Sequence, residues 1–297
     1  MTEAPTITPQ HLRAMPLPQP DAGSKDDRGR VLVVGGTIEL PGAILLSGTA
    51  ALRVGAGKLQ IATAAAVAPH LGVAVPEARV IGLPDAPDRD IDDAIAAERL
   101  APMIEHCDAV LVGPGLTPCA ATTRLTLALL SAPGTASFVL DAGSLNDLRL
   151  HADTVRARAV RVVITPHAGE MAGLLDWSRE EVEAEPVRAA RTAAEALRVV
   201  VVMKGAETWI VSPDGPCGFY GGGGVGLATS GSGDVLAGIV AGLLARGAEP
   251  AQAAQWAVYL HGQAGVRLAR SQGPLGFLAR ELLDELPSIL RDVTAEG

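Results

Sequence analysis

From Arg30 onward, short runs rich in Val, Ile and Leu alternate with longer stretches rich in Ala and Leu. The short runs predict strands over Val31–Gly35, Lys58–Thr63, Arg79–Leu83, Ala109–Gly113, Phe138–Asp141, Val162–Thr165 and Val199–Met203. Continuous apolar runs of this length suit strands buried on both faces, as in a parallel sheet. The longer stretches predict helices over Ala43–Ala56, Asp90–Ile104, Ala120–Leu130, Gly169–Leu175 and Ser178–Leu197, the last opened by a Ser178-x-x-Glu181 capping box. After Met203 the pattern becomes that of an antiparallel edge: Thr208–Ser212, a Pro213-Asp214-Gly215 turn, then Gly218–Tyr220. Helices over Asp234–Arg246, Ala251–Arg270 and Leu278–Leu290 complete the chain. The expected fold is α/β and doubly wound. A mostly parallel central sheet carries helices on both faces and a small antiparallel edge hairpin.

Residues 1–29 read as a polar, Pro-rich lead-in, with a short helix opening at Thr8-Pro9, and residues 30–297 as a single catalytic domain. No repeat or Ser/Gly linker divides that domain. The longest apolar run, Val235 to Ala245 with Gly included, falls short of the ~18 residues that span a bilayer. The lead-in has no apolar core of a signal peptide. Cys107, Cys119 and Cys217 share no CxxC spacing, so a reduced, cytoplasmic chain is expected. The formal charge of −9 argues against a nucleic-acid surface. It leaves anionic small molecules open, because backbone N–H groups and one or two basic side chains can bind phosphate on an acidic protein.

In open α/β sheets ligands bind beyond the carboxyl ends of the strands. The residues expected there are Gly35-Gly36, Gly113-Pro114-Gly115, Asp141-Ala142-Gly143, Thr165-Pro166-His167 and Lys204-Gly205. Five such ends together indicate a lined cleft. The sharpest feature is Gly231-Ser232-Gly233-Asp234 before the apolar stretch from Val235. Small residues at a helix start leave N–H groups unobstructed, and the helix dipole adds positive charge, so Gly231, Ser232 and Gly233 form a candidate anion hole. Two readings of Asp234 stand: a helix N-cap, or a base that takes the proton of a substrate hydroxyl attacking phosphorus. The glycine run Gly221–Gly224 with Gly226 favours the second.

Lys204-Gly205-Ala206-Glu207-Thr208 reads either as a turn with an exposed lysine or as a segment reaching phosphate and ribose. His167 is a candidate hydrogen-bonding or acid–base group at a strand end. His11, His70, His106, His151 and His261 are taken as structural. No His/Cys/Glu cluster has transition-metal spacing, so no metal ligand is assigned. Gly35-Gly36 lacks both the GxGxxG spacing and a P-loop ending. Asp141 is open between holding Mg²⁺ and capping the turn at Ser144.

Gly231-Ser232-Gly233-Asp234-Val235-Leu236-Ala237-Gly238 resembles the anion-hole and catalytic-Asp signature of the ribokinase-like superfamily. Four further segments are similar to those of the ADP-dependent NAD(P)H-hydrate dehydratases within it. These are Gly35-Gly36 with Pro41-Gly42-Ala43 and Leu52–Gly57; Val112–Leu116; Thr165-Pro166-His167-Ala168-Gly169-Glu170; and Val202–Gly205 with Thr208. The resemblance runs from about Arg30 to about Arg270, and the Pro-Gly-Ala and Pro-His-x-Gly-Glu segments narrow it most.

The resemblance implies a carbon–oxygen lyase that repairs nicotinamide cofactors hydrated at the 6-position of the reduced ring. Such enzymes phosphorylate that hydroxyl with ADP, or ATP, and loss of phosphate restores NADH or NADPH. It further implies that Asp234 deprotonates the hydroxyl and that Gly233 contacts the nucleotide phosphate. Lys204, Gly205, Ala206, Glu207 and Thr208 would line the AMP portion, and Ala43, Gly115 and His167 would contact the hydrated cofactor together with Asp234. Mg²⁺ arriving with the nucleotide, a homo-oligomer (tetrameric, as is usual in the family) and a separate NAD(P)H-hydrate epimerase are implied as well, since nothing large precedes Arg30. This sequence departs from the family pattern in Ala168 for Pro, Gly143 for a second Asp, and Gly221–Gly224 for a Gly-Asn-Pro-like lead. Two alternatives accompany the reading: a kinase of the same fold acting on a hydroxymethylpyrimidine or hydroxyethylthiazole type of alcohol, and a catalytically silent nucleotide-binding protein.

Overall fold

The computed structural model describes residues 4–19, 24–84, 91–158 and 161–295. Seven strands lie parallel: β1 (Arg30–Val34), β2 (Lys58–Ala64), β3 (Ala78–Leu83), β4 (Ala109–Val112), β5 (Ser137–Leu140), β6 (Val162–Ile164) and β7 (Val200–Met203). Antiparallel β8 (Thr208–Ser212) and β9 (Gly215–Tyr220) complete one sheet in the order β3-β2-β1-β4-β5-β6-β7-β8-β9. The order reverses direction at β1, between β2 and β4, which is where such sheets open a crevice at their carboxyl edge. The apolar runs became strands because both faces are covered: every residue of β4, β6 and β7 is buried.

Helices α1 (Pro9–Arg13), α2 (Pro41–Arg53), α3 (Ala68–Ala74), α4 (Asp93–Ile104), α5 (Ala120–Ser131) and α6 (Ala152–Arg156) are followed by α7 (Ala168–Leu175), α8 (Arg179–Ala184) and α9 (Pro186–Leu197). The last three are α10 (Ser232–Ala245), α11 (Pro250–Gln272) and α12 (Ala279–Ala295). Helices α2, α10, α11 and α12 pack together on one side of the sheet, and α4, α5, α6 and α9 form the other layer. Helix α10 is buried almost all round, which explains its unbroken apolar sequence.

Most predicted elements stand within a few residues of their expected bounds. The helix expected over Ser178–Leu197 is two, because Pro186 supplies no N–H and holds Glu185 at φ −134°, outside the helical region. The Ser178–Glu181 capping box is present at the first of them. Helix α3 was not anticipated from the pattern, and Asp90, the expected start of α4, lies outside the described residues. In the lead-in, Thr8 caps α1, while Ile7, Leu12 and Leu17 are buried in the core. No helix among the described residues is long and apolar enough to cross a membrane.

Candidate active site

The loops leaving β1 and β4 meet at the switch point. The N–H of Gly36 donates to the Pro114 carbonyl at 2.8 Å, and that of Thr37 to the Gly115 carbonyl at 3.1 Å. Gly115 has φ +71°, and a Cβ there would stand 2.6 Å from the Leu40 carbonyl and 3.2 Å from the Ala43 Cβ. Only glycine lets the two loops close in this way. The structure thus brings Ala43 and Gly115, 72 positions apart in the chain, into one small-residue floor. Three residues beyond Ala43 on α2, the Leu46 side chain packs against Gly231 at the start of α10.

Gly231, at φ +88°, is the N-cap of α10, and Ser232, Gly233 and Asp234 form its first turn. Asp234 is therefore inside the helix and does not cap it, so the capping alternative falls. A bare glycine cap leaves the first N–H groups of α10 without a side-chain acceptor, which is the arrangement an anion requires. Burial, reinforced by the nearby Asp141, pushes the Asp234 carboxyl up to about 7, with Lys204 opposing and Glu170 adding to the rise.

Lys204 follows β7, and its N–H donates to the Pro166 carbonyl at 2.9 Å, tying the loop after β6 to the loop after β7. Its side chain turns inward: Nζ lies 2.9 Å from Asp141 Oδ1 and 3.7 Å from Glu170 Oε2. A Cβ on Gly233 would stand 3.3 Å from the same nitrogen. Burial pulls the ammonium down, but Asp141, Glu170 and Asp234 together hold it above its ordinary value. The turn reading with an exposed lysine therefore does not hold. Asp141, 2% exposed, also accepts from Thr165 Oγ1 at 2.6 Å. Its carboxylate does not cap the turn at Ser144, whose hydroxyl donates instead to the Asp141 carbonyl at 2.9 Å.

His167 is the N-cap of α7. Its Nδ1 accepts from the N–H groups of Gly169 at 3.0 Å and Glu170 at 3.1 Å, while Glu170 Oε2 accepts from the His167 N–H at 2.8 Å. Nδ1 is occupied as an acceptor, and Nε2 on the other side of the ring lies 3.5 Å from Glu170 Oε1. Ala168, where the family usually has Pro, serves as the first helical residue without loss of the cap.

A cavity of about 780 Å³ opens between these loops and helices α10 and α11. Lys204, Gly205, Ala206, Thr208 and Gly233 line it, as does Ser232 of the anion hole; Tyr220 and the glycine run from Gly221 form another wall. Glu207 faces away, into a neighbouring crevice beside Arg179 and Trp209. His261, read as structural from the sequence, makes a contact with the anion hole. It is half-buried on α11 with Nε2 2.9 Å from Ser232 Oγ and 3.1 Å from the Ser232 carbonyl, at the wall of the cavity. Burial pushes it down to about 4, so it is neutral at physiological pH. Its helical surroundings in the sequence carry no local mark of that contact. Thr165 and Glu170 were part of a recognised segment, and only the packing gives each a contact.

Among the described residues no group of three or more His, Cys, Asp or Glu side chains is placed to hold a metal ion. The nearest oxygens, on Asp141 and Glu170, are drawn to an ammonium that a divalent ion would have to displace. The described residues of this site do not fit a resident metal.

The sequence profile of the NAD(P)H-hydrate dehydratase family matches residues 31–288. An ADP-dependent (S)-NAD(P)H-hydrate dehydratase of Xanthomonas campestris is 47% identical over 96% of this chain and 96% of its own length. The bifunctional NAD(P)H-hydrate repair enzyme of Moorella thermoacetica is 38% identical over 94% of this chain, which spans 53% of that longer protein. Among solved structures, the ADP/ATP-dependent NAD(P)H-hydrate dehydratase of Bacillus subtilis, co-crystallised with ATP and Mg²⁺, superposes with a TM-score of 0.83. It is 30% identical, with 99% of this chain and 100% of that one covered. A ribokinase-like superfamily protein of Enterococcus faecalis superposes at 0.82 with 26% identity, over 97% of this chain and 95% of that one. A glycine-capped helix with a half-buried aspartate in its first turn, on a ribokinase-like sheet, thus comes with close sequence kinship, and the chain belongs to the NAD(P)H-hydrate dehydratase family.

Proposed function

We infer that this protein is an ADP-dependent (S)-NAD(P)H-hydrate dehydratase that restores NADH or NADPH from the 6-hydroxy form. One observation carries the reading: a carboxyl poised at about 7 stands beside an open helix N-terminus, with an ammonium next to the adjoining glycine. Asp234 takes the proton of the ring hydroxyl as its oxygen attacks the terminal phosphorus of ADP, and AMP leaves. The N–H groups of Ser232 and Gly233 and the Lys204 ammonium face the charge that gathers on the phosphoryl oxygens. The ring nitrogen then expels phosphate, and loss of the C5 proton re-forms the C5–C6 double bond. Nucleotide lies in the cavity along Lys204, Gly205, Ala206 and Thr208, and the hydrated ring over Ala43, Gly115 and His167. Mg²⁺ brought with the nucleotide would supply charge screening, with no resident ligand set among the described residues. A cytoplasmic homo-oligomer, tetrameric as is usual in the family, and a separate epimerase chain complete the proposal.

The test is to mix the protein with ADP and hydrated NADH and follow the return of the reduced nicotinamide absorbance. Recovery that needs nucleotide, rises with pH to half its plateau near 7 and vanishes in Asp234→Asn supports the reading. Turnover of ATP on a hydroxymethylpyrimidine or hydroxyethylthiazole, with no recovery of NADH, would instead establish the kinase. Nucleotide binding without either reaction would establish the silent protein.

A further inference from the structure

Phosphoryl transfer and loss of phosphate give no task to Asp141, although this carboxylate is almost wholly removed from water. A buried charge is costly unless it is paired and hydrogen-bonded. Here both bonds go to one oxygen: Thr165 Oγ1 donates to Oδ1 at 2.6 Å and Lys204 Nζ at 2.9 Å. The three groups come from the ends of neighbouring strands β5, β6 and β7, so the backbone hydrogen bonds of the sheet fix their spacing. A lysine side chain has four rotatable bonds and little shape of its own. What holds this one is Asp141, with Glu170 Oε2 farther off at 3.7 Å, and it is held where its nitrogen borders Gly233.

We propose that Asp141, braced by Thr165, is a positioning residue that keeps the Lys204 ammonium against the anion hole at Gly233, where it meets the transferring phosphoryl group, and that it tunes the charge felt by Asp234. The proposal rests on Asp234 being the base. It replaces both sequence readings of Asp141, since the turn at Ser144 uses its carbonyl and its carboxylate already serves an ammonium.

The charges acting on Asp234 come from three elements: Asp141 after β5, Glu170 on α7 and Lys204 after β7. His261 on α11 also lies in the field of Lys204 but is neutral at neutral pH. Removing Asp141 takes a like charge from Asp234 and makes it easier to ionise. Removing Lys204 does the reverse. The two substitutions therefore move the acid limb of the pH–rate profile in opposite directions, which general damage to the fold does not do.

The experiment measures kcat and KM for ADP and hydrated NADH in the full chain from about pH 5 to about pH 9. It compares wild type with Asp141→Asn, Asp141→Glu, Lys204→Met, Thr165→Val and Asp234→Asn. Asp141→Asn is expected to lose roughly 10- to 100-fold in kcat, with KM for the hydrated cofactor within about 3-fold. Its acid limb moves to lower pH, that of Lys204→Met to higher pH, and Asp141→Glu recovers part of the rate. Circular dichroism reports folding. Should Asp141→Asn fail to fold, Thr165→Val carries the test through the rate alone, with a smaller loss of kcat and little movement of the acid limb, because Asp141 keeps its charge. A folded Asp141→Asn with wild-type kcat and an unmoved acid limb (or, in its place, Thr165→Val with wild-type kcat) overturns the proposal, as do shifts of one sign in the aspartate and lysine variants. If those results accompany a dead Asp234→Asn, only the positioning role fails. If Asp234→Asn turns over normally, the base reading fails and takes this proposal with it.

Discussion

Burial holds the Asp234 proton until about pH 7, whereas the same carboxyl in an unfolded chain releases it near 3.8. A group whose folded pKa is raised contributes stability that is complete below its unfolded value and lost as pH rises through the folded one. The folded protein is therefore least comfortable with this residue above pH 7, where a base is of most use. Asp234→Asn, a neutral group of the same shape, should abolish turnover yet melt a few degrees higher than wild type at about pH 8, with the gap closing near pH 4. Melting curves at the two pH values check this, and a lower melting temperature at the higher pH contradicts it. At this scale the candidate nature of Asp234 could be read from the chain, but the choice between cap and base could not. That choice depends on whether the helix starts at Gly231 or three residues later, and sequence patterns leave helix ends uncertain by a turn.

Helix α10 can carry the anion hole because it lies very close to α2. A Cβ on Gly238 would stand 2.2 Å from the Ser47 carbonyl, and one on Gly242 2.6 Å from the Ala51 carbonyl. The apolar run from Val235 thus contains two glycines whose missing side chains set a distance between helices. Gly238→Leu should destabilise the fold by about 3 kcal/mol or more, since neither backbone can give way without moving the other. It should also lower activity in whatever fraction still folds, by displacing Gly231 relative to Leu46. Urea unfolding measures the first effect, and a change within about 0.5 kcal/mol would show the approach to be slack. The helix break at Pro186 was written in the sequence by a familiar rule. The α2–α10 contact was not, because no local pattern says which two helices will meet.

Across the whole molecule, the lead-in belongs to the packed body more than its composition suggests. Ile7, Leu12 and Leu17 are each 3% exposed or less, and Thr6 pairs with Phe219 on β9. The Trp256 indole N–H donates to the Met15 carbonyl at 3.0 Å, and the Arg246 guanidinium to the Pro18 carbonyl at 3.2 Å. Deleting residues 1–19 should lower the melting temperature by at least about 5 °C, because three apolar side chains at ~1.5–3 kcal/mol each lose their burial. An unchanged melting curve would mean that the segment merely rests on the surface. Its apolar residues are spaced irregularly among prolines, so neither helical nor strand periodicity marks them as core.

The sequence by itself determined the class of sheet, the order of its elements, the glycine-rich helix start and the family to which those segments belong. These are local properties: side-chain periodicity, chain stiffness at Pro and Gly, and the dipole of one helix end are all set by residues near one another in the chain. Tertiary structure decided which strand ends came to share a site. It joined Asp141, Thr165, Glu170, Lys204 and His261 to the anion hole across more than a hundred residues. It also decided the protonation of Asp234, because a pKa depends on what burial and charge surround a group in space, and neither is encoded by its neighbours in sequence.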